Sequence, residues 1–105
     1  MTAPAGRARV MVWHRAPADD VEAVAKAYDE ISRHLDGTPG LIGNELLRST
    51  TDPRRMVVLS EWESLAAFRV WEEGVQHRPS TSPLRQYQDR ELPNFFEVFE
   101  VTAAF

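Results

Sequence analysis

Three short stretches limit what this chain can become. They read VMVW at 10–13, MVVL at 56–59 and FFEVF at 95–99. Side chains alternate faces along a strand, so a sheet with one wet face alternates apolar and polar residues. These stretches place apolar residues on both faces, so a sheet built from them needs a cover on each side. The chain has 105 residues, enough for one domain and not two. Its own helices can cover only one face. The other face calls for a second copy of the chain, giving a homodimer whose two sheets pack into a barrel.

The helices announce themselves by a different period. From Val21, apolar residues recur at Val24, Tyr28, Ile31 and Leu35, one stripe of a helix. Asp19 is placed to cap its start, with Glu22 completing a capping-box-like pair. DGTPG at 36–40 ends it through Gly37 and Pro39. A second stripe runs Leu65, Phe68, Trp71 and Val75, with Ser64 as its cap. Ser82 followed by Pro83 predicts a third, short helix over PLRQYQDREL, residues 83–92.

Between the helices, 8–15, 41–50, 55–62 and 95–102 read as strands. TDPRR turns strands two and three into a hairpin. Strand, helix, strand, strand, helix, strand is the ferredoxin-like split βαβ order: an α+β fold, a four-stranded antiparallel sheet with helices on one face. Residues 1–105 form this single domain, with no repeat, linker or low-complexity segment.

Composition removes several functions. The net charge is −4, which disfavours nucleic acid and anionic membranes as partners. With no cysteine, thiolate nucleophiles, disulfides and thiolate metal sites are excluded. MTAPAGRAR has no apolar run behind its charges, and no stretch reaches membrane-span length, so a cytoplasmic location is expected. No GxGxxG, Walker loop, HExxH or GxSxG motif is present. His14, His34 and His77 are far apart, and no metal site is expected.

An aromatic and histidine cluster remains. Trp71 and Phe68 lie on the second helical stripe, which by spacing alone reads first as core and second as pocket wall. Trp62 ends the third strand, and Trp13 lies in the first, with the same ambiguity. His14 points to the face opposite Trp13. His77 follows the second helix, near its negative end, where a protonated ring is favoured. Tryptophan and phenylalanine walls suit a flat aromatic ligand, and a histidine titrating near ~6.5 can take a proton from a phenol or an activated CH.

GTPGLIGNELLRS at 37–49 and VVLSEWESLAAFRVWEEGVQHR at 57–78 resemble the antibiotic biosynthesis monooxygenase family of small dimeric α+β barrels. The shared features are proline-glycine before the second strand, then strand, Trp, Ser, AF, a second Trp and a later His. The resemblance implies a monooxygenase that oxidises an anthrone- or quinol-like aromatic polyketide to a quinone with O2 and no cofactor. It implies His77 as base, with Arg85 steadying a developing phenolate or peroxide. Trp62, Trp71, Phe68, Trp13, His14 and Asn44 form the substrate-binding set. Val58 and Phe68 stand where quinone-forming members carry asparagine and tyrosine. The first strand has MVWH where haem-degrading members carry asparagine, and His77 follows Trp71 more closely than their haem ligand does, which disfavours haem degradation. The alternatives are a polyketide cyclase or isomerase on the same barrel, or a non-catalytic small-molecule-binding accessory protein.

Overall fold

The computed structural model describes residues 6–74 and 82–105. Its elements are β1 (Ala8–Arg15), α1 (Ala23–Leu35), β2 (Leu41–Arg48), β3 (Arg55–Trp62), α2 (Leu65–Glu73) and β4 (Phe96–Glu100). The strands form one antiparallel sheet in the order β2-β3-β1-β4, the ferredoxin-like arrangement.

The register sorts the side chains cleanly. Ala8, Val10, Val12 and His14 of β1 face the helices, opposite Trp62, Ser60, Val58 and Met56 of β3. Leu41, Asn44 and Leu46 of β2 complete that face, after a register shift between Leu41 and Gly43. The buried residues form two apolar clusters. One gathers Val24, Ile31, Leu35, Met56, Val58 and Leu84; the other gathers Ala8, Val10, Trp62 and Phe68.

The two helices begin differently. Ser64 caps α2 as its sequence indicates, its Oγ accepting from Ala67 N–H at 3.0 Å. The capping box expected at Asp19 and Glu22 does not form. α1 starts at Ala23, and Glu22 occupies the cap position with no side-chain bond to the helix. Asp20 instead accepts from Glu22 N–H at 3.2 Å, closing a local turn. Val21 therefore falls outside the helix and is exposed.

The third helix is shorter than PLRQYQDREL suggests. Only 82–85 is helical among its described residues. Tyr87 N–H and Gln88 N–H then bond back to Leu84 and Arg85, and Gln88 bridges to His14 of β1. The partner offered by the sheet edge outcompetes continued helix. Val75 of the second stripe and His77 lie outside the described residues.

Candidate functional site

β1 is apolar at every helix-facing position but one. His14 is that exception, and it is 2% exposed. A buried imidazole must satisfy its ring nitrogens. Its Nδ1 lies 2.9 Å from the Val12 carbonyl, which can only accept, so Nδ1 carries the proton and Nε2 is the acceptor. Burial holds the ring's pKa below the usual histidine value, outweighing the opposing effect of that bond. His14 is thus a neutral base held in one orientation.

The ring faces a cavity of about 290 Å³ that runs between the two core clusters. Its floor is the sheet: Val10, Val12, Val58, Ser60 and Asn44. Helices α1 and α2 supply Ile31, Leu35, Phe68 and Trp71. The aromatic end is continuous. Trp62 and Phe68 meet edge to face with centroids 5.5 Å apart, Trp71 lies 5.3 Å from Trp62, and Phe96 lies 6.4 Å from Phe68. Trp62 is 1% exposed. Its Nε1–H donates to Ser60 Oγ at 2.9 Å, so burying the indole leaves no orphan donor.

Charge in the cavity runs against the rest of the molecule. The chain is acidic, yet no Asp or Glu is among the described lining residues, while Arg85 and Arg90 are. Neither arginine forms an ion pair among the described residues, whereas Arg7, Arg9, Arg15, Arg33, Arg48 and Arg69 all do. Arg90 instead packs over the Phe95 ring and donates to Gln88. No group of three His, Asp or Glu side chains able to hold a metal ion occurs among the described residues.

The fold brings Trp62, Trp71, Phe68, His14, Asn44 and Arg85 to one cavity. Trp13 is a correction to the expected set. It pairs with Val57 on the outward parity of β1, the opposite face from His14, and does not line the cavity. His77 lies outside the described residues. Ser60, Gln88, Arg90, Phe95 and Phe96 were not anticipated. Ser60 was legible by parity, as a hydroxyl in the inward row Met56, Val58, Ser60, Trp62. Gln88 and Arg90 were not, because only a tertiary bridge puts them there.

The family model for antibiotic biosynthesis monooxygenases matches residues 8–79. The chain belongs to this family. Among curated relatives, this monooxygenase-family chain is 33% identical to protein SchA of Streptomyces halstedii over 64 residues, covering 61% of the chain and 17% of SchA. It is 31% identical to the mycobilin-producing heme oxygenase of Mycobacterium tuberculosis strain H37Rv over 58 residues, 55% of each protein. The chain thus matches less than a fifth of SchA's length and about half of the heme oxygenase. Among solved structures, a variant of SnoaB, a cofactor-independent oxygenase from Streptomyces nogalater, superposes with a TM-score of 0.71 at 18% identity, covering 94% of each chain. A family structure from Nitrosomonas europaea gives 0.71 at 13% identity over 100% of this chain and 97% of that one. At these identities the structures establish the shared fold.

Proposed function

We propose that this chain oxidises a polycyclic aromatic, anthrone- or quinol-like intermediate to a quinone with O2 and without a cofactor. The observation that carries the reading is His14: a neutral, oriented base facing an aromatic-walled cavity with no carboxylate among its described lining residues. A cofactor-independent oxygenase of the same fold supports the direction.

The chemistry follows from the lining. The aromatic walls take a flat ring system and exclude water. For an anthrone, His14 Nε2 takes a proton from the ring CH2, leaving a delocalised carbanion whose negative charge on oxygen is steadied by Arg85. That anion passes one electron to O2, and the resulting pair forms the C–O bond of a peroxide. The peroxide loses water. One oxygen atom ends in the quinone carbonyl, and the other leaves as water with the two hydrogens of the CH2. The substrate supplies the electrons, and the protein supplies position, a base and a cation.

The outward face of the sheet supports a homodimer. Met11 lies opposite Leu59, Trp13 opposite Val57, and Leu47 beside Val57. Leu47 is 40% and Phe99 42% exposed. An apolar face of this kind is covered most simply by its own copy.

The test is oxygen uptake with anthrone, using protein stripped of metal and flavin. Uptake coupled to quinone above the uncatalysed rate is expected, falling by roughly 10²–10⁴-fold in His14→Gln, the usual range for a lost general base. If His77→Ala abolishes turnover and His14→Gln does not, His77 is the base. No uptake with ligand still bound would make the protein a cyclase, an isomerase or an accessory binding protein.

A further inference from the structure

Among the buried side-chain nitrogen and oxygen atoms of the described residues, Asn44 Oδ1 has no hydrogen-bond partner. It belongs to a residue that lines the cavity. Such an atom costs free energy unless something donates to it. Directly across the β2–β3 ladder is Ser60, which also lines the cavity and is buried. Ser60 Oγ accepts the Trp62 indole N–H, which occupies a lone pair and leaves its own hydroxyl proton to be donated. Asn44 and Ser60 therefore place an acceptor and a donor side by side in an otherwise apolar floor.

Their position along the sheet matters. His14 pairs with Met56, four residues from Ser60 on the same strand, a separation of about 13 Å along the sheet. Gln88, beside Arg85 and Arg90 in the chain, bridges to His14. The cavity thus has two polar poles, with Val12 and Val58 between them on the floor.

We infer that Asn44 and Ser60 form a second recognition subsite that binds a hydroxyl group at the end of the ligand remote from His14. A hydroxyl there donates to Asn44 Oδ1 and accepts from Ser60. The ligand class is then a hydroxylated fused-ring aromatic, its reacting centre at the His14 end. This rests on the proposed function for the role of His14 but uses a different part of the cavity. Asn44 and Ser60 are positioning residues that select a substrate.

The test compares 2-naphthol with 2-methoxynaphthalene at pH 7, titrated into the full chain and followed by the indole N–H signals in NMR. The Trp62 signal reports on the Ser60 end directly. The hydroxyl probe should bind roughly 10-fold tighter or more, since a site built around a hydroxyl leaves its buried groups unpaired by the analogue. It should also shift the Trp62 signal more than the methoxy probe does. In Asn44→Leu the preference should fall toward one while the methoxy probe still binds. Equal affinities in the unmodified protein, or an undiminished preference in Asn44→Leu, overturns the subsite and leaves the cavity reading standing. If neither probe moves any cavity signal, the cavity is not an aromatic site and both readings fail. If the variant does not fold, the Trp62 signal of the unmodified protein decides: a hydroxyl bound at the His14 end favours 2-naphthol without moving that signal more than the methoxy probe does, and that result overturns the subsite.

Discussion

At the scale of single residues, His14 has the most consequences. Its folded pKa lies below the ordinary value because burial penalises the charged ring. If it is the base, activity needs the neutral form and persists below the usual histidine range. The acid limb of the pH–rate profile should then have its midpoint below about 6.5, the unperturbed value. A midpoint at or above that value would exclude His14. The same shift acts on stability. The unfolded chain takes up a proton at a higher pH than the folded one does. The contribution is therefore fully present above about pH 6.5 and is lost as pH falls through the folded value. His14→Phe should flatten that part of the stability–pH curve, measured by urea denaturation across pH 4–8. Trp62 teaches the companion lesson. Core and cavity wall are not exclusive roles, because the indole packs against Phe68 and Trp71 while the residue also lines the cavity.

At the scale of elements, the close approach of α2 to the turn before β2 keeps the aromatic wall in place. Gly40 sits in that turn with φ +82°, a conformation L side chains rarely adopt. A Cβ there would come 2.5 Å from Ala67 Cβ of α2. Glu63 N–H also bonds the Gly40 carbonyl at 2.8 Å, tying the turn to the start of the helix. Gly40→Ala should therefore destabilise by about 2–4 kcal/mol, combining left-handed strain with overpacking. Losing the cap bond in Ser64→Ala should cost about 1 kcal/mol. Thermal denaturation of both variants checks the order. A Gly40→Ala protein as stable as the parent would mean that α2 moves freely, and the cavity wall with it.

At the scale of the molecule, the unresolved demand is the outward face of the sheet. Placing a charge at its centre in Leu59→Lys should convert a dimer to a monomer in size-exclusion chromatography with light scattering. A monomer before any substitution would remove the dimer. The element order, the antiparallel sheet and the sheet-facing helical stripes Val24, Ile31, Leu35 and Phe68 were legible in the sequence. Periods of 2 and 3.6 are local properties, readable without knowing what packs where. Parity even put His14 and Trp13 on opposite faces. What parity leaves open is which face the helices cover, so the sequence groups Trp13 with the cavity whereas the packing leaves it outside. Asn44 and Ser60 become a pair only through the β2–β3 register, which a bulge near Gly43 shifts. Gln88 and Arg90 reach the cavity through a bridge between residues more than seventy positions apart. The chain by itself thus determined the layers and their apolar faces, because those depend on spacing between near neighbours. Only the tertiary structure decided which polar groups share one cavity, because that depends on register and on contacts between segments remote in sequence.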